Sequence, residues 1–429
     1  VNLSAAFGPV TAAMTRKLHI HVRPEHNELV TTEQTQKEYA MSSAFAGIRV
    51  LELGQIYNGP YCGLLLAQLG ADVVKIEPPN GEMLRFRSHQ VTESHEFLML
   101  NSNKRSVVLD LKSSEGHENM LELIRTADVL IENYAPGTMD RLELNFEKLR
   151  ELNPRLIVAS GKGYGSTGPY AHMSAMDITV QAMSGSISST GTPDGPPTKS
   201  GLAFVDFSGG VHLFAAIAAA LYQREHTGKG QIVEVSMHDT IYPMLASGLG
   251  GLHNSPDRKI PERTGNRHSG LAIAPYNVYP SSDGWIALIC MAERHWHGVI
   301  ASMGQPELGV DPRFVTEADR VENMDEVDEM VAAWTATLPR DVLIAELQAA
   351  GVPCAPVKSL EEVDTDEHLI ARGMIRYVEH PMKGRTPVPG CALQLSDSPL
   401  NKLDVAPPLG NATDEILDEL RKSRAAYLA

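Results

Sequence analysis

Strands and helices alternate through the first half of the chain, and that alternation decides the fold class. Ile48–Leu53 reads IRVLEL, an apolar run of strand length. NGPYCGLLLAQLG follows, with Pro60 in its first turn, apolar residues at helical spacing, and Gly70 as a stop. DVVKIE then reads as a second strand, closing a βαβ unit whose helix is long enough for a parallel crossover. The pattern repeats: SVVLDL, a polar helix from Ser113 to about Arg125, and the strand DVLIEN. Helical PGTMDRL and NFEKLRELN lead to the strand RLIVAS, and GQIVEVSM and the helical HDTIYPMLASGLGGL come later. Such a chain predicts a Rossmann-like α/β large domain with a mostly parallel sheet covered on both faces.

The texture changes after residue 253. Asn254–Tyr276 is rich in Gly, Pro, Asn and Arg and reads as an irregular loop. VYPSSDGWIALIC predicts a hairpin turning at Ser281–Gly284, followed by helices over 293–303, 324–337 and 340–350. A smaller α+β domain is therefore expected over 254–356, inserted between 47–253 and a C-terminal part, 357–429, that returns to the large domain. That last part carries the short strands MIRYVEH and TPVPGCALQLS and a closing helix, ATDEILDELRKS. Residues 1–46 read as a flexible extension, with no apolar core followed by a cleavage site.

Composition narrows the function. A net charge of −16 over 429 residues argues against nucleic acid or an anionic membrane as a partner, so an anionic ligand needs a local basic pocket. Cys62, Cys290, Cys354 and Cys391 show no paired spacing, which points away from a disulfide framework or zinc site and toward a reducing cytoplasm. No apolar run is read as a membrane span; Val211–Tyr222 suits a buried helix. The turn LGQIYNGPYCG lacks the dinucleotide fingerprint, and no GxSxG elbow occurs. The pairs His19/His21 and His295/His297 read as exposed side chains, so no metal is assigned.

Two features remain. Lys104, Arg105, Lys112, Arg141 and Lys162 fall near predicted strand ends, where an open α/β sheet binds ligands, and together could ring a phosphate. The second is GLAFVDFSGG, where Asp206 stands alone among small and apolar residues ahead of a long apolar helix. Asp206 either caps that helix or acts as a nucleophile, with Gly209 and Gly210 giving a bulky substrate room to approach. A cap can also hold a nucleophile, so spacing leaves both roles open.

In the blocks GIRVLELGQIYNGPYCGLLLAQLGADVVKIEPP, LNSNKRSVVLDLK, ADVLIENYAPGTMDRL, LNPRLIVASGKGYGSTGP, DITVQAMSG, AFVDFSGG and TGKGQIVEVSMHD the chain resembles the class III CoA-transferases, a family that includes α-methylacyl-CoA racemases. The resemblance implies that Asp206 is the nucleophile, forming an acyl anhydride and then an aspartyl-CoA thioester. It implies coenzyme A thioesters as substrates with no permanently bound cofactor, a small carboxylic acid as the second substrate, and an interlocked homodimer. CoA is expected along Tyr57, Asn58, Leu109, Lys112, Asn133, Tyr134, Arg141, Lys162, Ser174 and Asp177. Racemases carry a His where this chain has Met176, which removes one of two bases. Oxalate-type transferases carry Lys at Ser174, Arg at Pro78, and a glycine run where this chain reads RTGNRHSGLAIAPY. Arg263, Arg267 and His268 in that loop are candidates for binding a dicarboxylic acceptor; the alternative is that they only order the loop. A racemase and a non-catalytic acyl-CoA-binding relative stand as the other readings.

Overall fold

The computed structural model describes residues 43–86, 93–254 and 261–428. The expected N-terminal extension lies, up to residue 42, outside the described residues, as do residues 255–260 of the irregular loop.

Six parallel strands form the main sheet: β1 (Arg49–Glu52), β2 (Asp72–Glu77), β3 (Arg105–Val108), β4 (Val129–Glu132), β5 (Ile157–Lys162) and β6 (Ile232–Ser236). Their order, β3-β2-β1-β4-β5-β6, is the doubly wound arrangement, with its switch point between β1 and β4. Helices that matter below are α1 (Asn58–Gln68), α2 (His95–Asn101), α3 (Ser114–Thr126), α4 (Asp177–Met183) and α5 (Phe204–Thr227). The central strands β1, β4 and β5 are mainly apolar because both faces are covered. Val50, Val73, Val129 and Ile157 meet Leu66 of α1 with Leu213 and Ile217 of α5. Their neighbours Leu51, Val74, Leu130 and Val158 point the other way, onto Met120, Leu123 and Ile124 of α3 and Ile416 of the C-terminal helix Thr413–Leu428.

Two sequence expectations need correction. α5 is 24 residues long and holds an 18-residue stretch with a mean hydropathy of 1.6, so by length and composition it does qualify as a span. One of its faces, with Leu213, Ile217, Ala220 and Leu221, is buried on the sheet, and near its end Arg224 is held by Asp128 at 2.9 Å. The helix expected from residue 238 onward is broken into Met237–Ile241, a 3₁₀ turn Tyr242–Leu245, and Ala246–Asn254. Pro243 lacks the N–H that a continuous helix needs there.

A smaller antiparallel sheet is built from β7 (Tyr276–Ser281), β8 (Gly284–Ile289) and β9 (Cys354–Pro356), the first two forming the expected hairpin. Its core gathers Tyr279, Trp296, Phe314, Val327 and Leu343. A separate hairpin, β10 (Ile375–His380) with β11 (Gly384–Pro389), sets Val378 and Val388 on Phe97 and Leu98 of α2.

Candidate active site

The first turn of α5 has donors to satisfy and no cap of its own. Its N-cap is Ala203, and Asp206 stands within the first turn, so the capping role expected of Asp206 is not the one it has. Asp177, which opens α4, caps α5 from outside: its Oδ2 accepts from the N–H groups of Val205 (3.1 Å) and Asp206 (3.4 Å). Gln181, one turn along α4, steadies Asp177 through a 2.5 Å bond to Oδ1. The Asp206 carboxylate is thereby released from structural duty, and no donor among the described residues bonds it. Burial, reinforced by the neighbouring Asp177 charge, pushes its pKa up to about 7.

Asp206 forms part of the wall of a cavity of about 320 Å³ at the carboxyl ends of the strands. Asn58, Asn133, Tyr134, Lys162 and Ser174, five of the residues singled out through the resemblance, share that wall. So do Gln55, Ile56 and Gly161 and four methionines (Met83, Met173, Met176 and Met237), for which the residue spacing holds no signal. Asn133 clamps the turn after β1, accepting from Gln55 N at 2.8 Å and donating to Gln55 O at 2.9 Å. Lys162 is engaged by Glu132 at 2.8 Å and by the Tyr134 carbonyl at 2.9 Å. Gln55 and Tyr134 also line a second hollow with Leu109, Lys112 and Leu142. Lys112 and Leu142 in turn border a third, with His117 and Arg141, where the Ser113-capped N-terminus of α3 opens. Each hollow shares wall residues with the next, so the three follow one another from Asp206 to the N-terminus of α3.

Residues 45–413 match the model of CoA-transferase family III. The chain belongs to that family. This CoA-transferase is 37% identical over 389 residues to the formyl-CoA:oxalate CoA-transferase of Streptomyces coelicolor, covering 87% of this chain and 94% of that one. It is 36% identical to the succinyl-CoA–D-citramalate CoA-transferase of Chloroflexus aurantiacus, over 87% and 93% of the two chains. A CaiB/BaiF family protein from Brucella suis superposes with a TM-score of 0.78 at 34% identity, over 88% of this chain and all of that one.

Other residues singled out in the sequence lie elsewhere in the transferase. Tyr57 stacks on Phe207, ring centroids 5.7 Å apart, beside the cavity rather than on its wall. Lys104 does not ring a ligand: it is fully buried, with its Nζ 2.7 Å from Glu52. Arg105 opens β3 at the amino end of the sheet and pairs with Asp72 at 2.6 Å, away from the carboxyl-end cavity. Arg267 is matched twice, by Asp325 at 2.7 Å and Asp328 at 2.6 Å. Arg263 bonds Glu262 and the Ser188 carbonyl, both at 3.1 Å. His268 accepts from Gly270 N at 3.2 Å. None of these three loop residues lines the Asp206 cavity.

Proposed function

We propose that the enzyme moves CoA between an acyl-CoA and a free small carboxylic acid by covalent catalysis at Asp206. A carboxylate oxygen of Asp206 attacks the thioester carbonyl, the C–S bond breaks, and CoA leaves as the thiolate, giving a mixed anhydride. The thiolate then attacks the Asp206 acyl carbon, which expels the first acid as its carboxylate and leaves an aspartyl-CoA thioester. The second acid reverses both steps. One thioester is exchanged for another, so the cycle is balanced without ATP. The observation that carries this reading is the buried Asp206 carboxylate, freed from capping by Asp177 and set on the cavity wall. It counts against a binding-only relative, since capping no longer explains the residue. Met176 stands on the same wall where a racemase needs an imidazole, and a thioether has no proton to give.

The path from Asp206 to Arg141 suits the pantetheine arm and the phosphates of CoA, with Lys112, Arg141 and the α3 N-terminus at the anionic end. Lys112→Ala and Arg141→Ala are each expected to raise KM for the acyl-CoA by about tenfold with kcat little changed; a loss confined to kcat would remove CoA from that path. Relatives named for oxalate and for citramalate make a small acid the expected second substrate. A homodimer accords with the exposed apolar side chains Val211 and Tyr222 on α5 and Tyr242, Met244 and Leu252 beyond it, which a second copy would cover. Four free thiols suit a reducing compartment such as the cytoplasm.

The direct test is mass spectrometry after incubation with acetyl-CoA or succinyl-CoA and a hydroxylamine quench. Asp206 should be recovered as its hydroxamate. An unmodified Asp206 in a preparation that still exchanges CoA would sink the covalent route.

A further inference from the structure

Asn58 opens α1 and is only 2% exposed. Its Nδ2 donates to the backbone carbonyl of Asp206 at 3.4 Å, while its Oδ1 is buried with no partner among the described residues. The side chain occupies space that two glycines leave for it, and a third makes room for its backbone. A Cβ on Gly161 would fall 2.3 Å from Oδ1, one on Gly209 would fall 2.2 Å from Nδ2, and one on Gly210 2.7 Å from the Asn58 backbone oxygen. One carboxamide thus locks the end of β5, the first turns of α5 and the start of α1 together.

An apolar residue would fill the same space without a stranded acceptor. Keeping an amide there, at the standing cost of an unpaired oxygen, points to the N–H bond to Asp206 as the feature retained. Among the described residues the Asp206 carboxylate has no hydrogen bond of its own, so its direction depends on how its backbone is held. Small displacements of a reacting group are expensive in rate.

We propose that Asn58 is a positioning residue for the transfer reaction: it aims Asp206 by fixing the first turn of α5, and it is not a ligand of CoA. This rests on Asp206 being the nucleophile. The test is steady-state kinetics of Asn58→Ala and Asn58→Asp, with hydroxylamine trapping at Asp206 and thermal melts to verify folding. The expected result is a fall in kcat of about 30-fold with KM for the acyl-CoA within twofold, and trapping slowed to match. Asn58→Asp should also raise the pH midpoint of trapping by about one unit, because it adds a negative charge beside Asp206. Gly209→Ala should be damaging in the native background and less so in the Asn58→Ala background, where the 2.2 Å clash is gone and only a 3.0 Å approach to the flexible Met237 side chain remains. A tenfold rise in KM with kcat retained would make Asn58 a CoA ligand and overturn the proposal, as would unchanged kinetics. Absence of the hydroxamate in the native enzyme would instead overturn the nucleophile assignment, so the two failures are separable.

Discussion

Asp206→Asn is expected to cut CoA exchange by at least about 10⁴-fold and, at pH 8, to make the protein more stable. The first effect follows from removing the attacking oxygen. The second follows from what burial and Asp177 do to the carboxylate. Its ordinary pKa is 3.8, and the fold pushes it up to about 7. Between those values the folded chain holds a proton that the unfolded chain has lost, so native stability falls as pH rises through that window. Above it the accumulated cost reaches at most about 4 kcal/mol, at about 1.4 kcal/mol per pKa unit. An amide has no such dependence. Denaturant midpoints for the two proteins should coincide near pH 4 and separate progressively toward pH 8, with the variant ahead. A variant less stable than the native protein at pH 8 would show that the carboxylate is not strained by its surroundings. The same ionisation predicts kcat/KM rising with pH to a plateau above about 7, since only the carboxylate attacks.

The central strands of the main sheet were legible because they are compact, mainly apolar runs buried on both faces; Val50 and Leu51, adjacent in sequence, serve opposite cores. Gly and Pro marked several of the boundaries. What the sequence concealed depends on contacts between distant residues. GLAFVDFSGG places an Asp ahead of an apolar helix, which looks like a cap, yet the donors of that turn are taken by Asp177 from another helix. No local spacing carries that pairing. Lys104 and Arg105 look alike beside SVVLDL, but one is sealed in against Glu52 and the other lies at the amino edge of the sheet. The resemblance located Asn133 at the site, while the geometry shows its amide spent on Gln55.

Behind that turn lies the second large expected effect, at Glu52. It is wholly buried between two ammonium groups, Lys75 at 2.9 Å and Lys104 at 2.7 Å. Burial opposes the charge on Lys75, but the carboxylates of Glu52, Glu82 and Glu77 outweigh it and push the pKa up to about 12. For Lys104 burial wins, and with the Lys75 charge it pulls the pKa down to about 8. Glu52→Gln leaves both cations without their shared anion and should cost about 3–5 kcal/mol at pH 7. Lys104 sets the pH dependence. Between its folded pKa near 8 and its ordinary 10.5, the folded chain holds fewer protons than the unfolded chain, so stability rises with pH there. Losing Glu52 extends that window downward, because Lys104 then sheds its proton more easily. The deficit of the variant should therefore narrow as pH rises toward 8 and change little from there to pH 10, and adding Lys104→Met should recover part of it at pH 7. Activity should suffer as well. Lys75 also donates to the Gly54 carbonyl at 2.8 Å, and Glu82 accepts from Ile56 N at 3.1 Å. Those bonds hold Ile56, a β-branched residue at φ 63° on the wall of the Asp206 cavity, in a left-handed conformation it would not otherwise keep. With the cluster disrupted the turn relaxes, and kcat should fall even at temperatures where the variant remains folded. A variant as stable and as active as the native enzyme at pH 7 would mean that the two lysines do not depend on Glu52 for their charge, and the link from cluster to cavity wall would be lost.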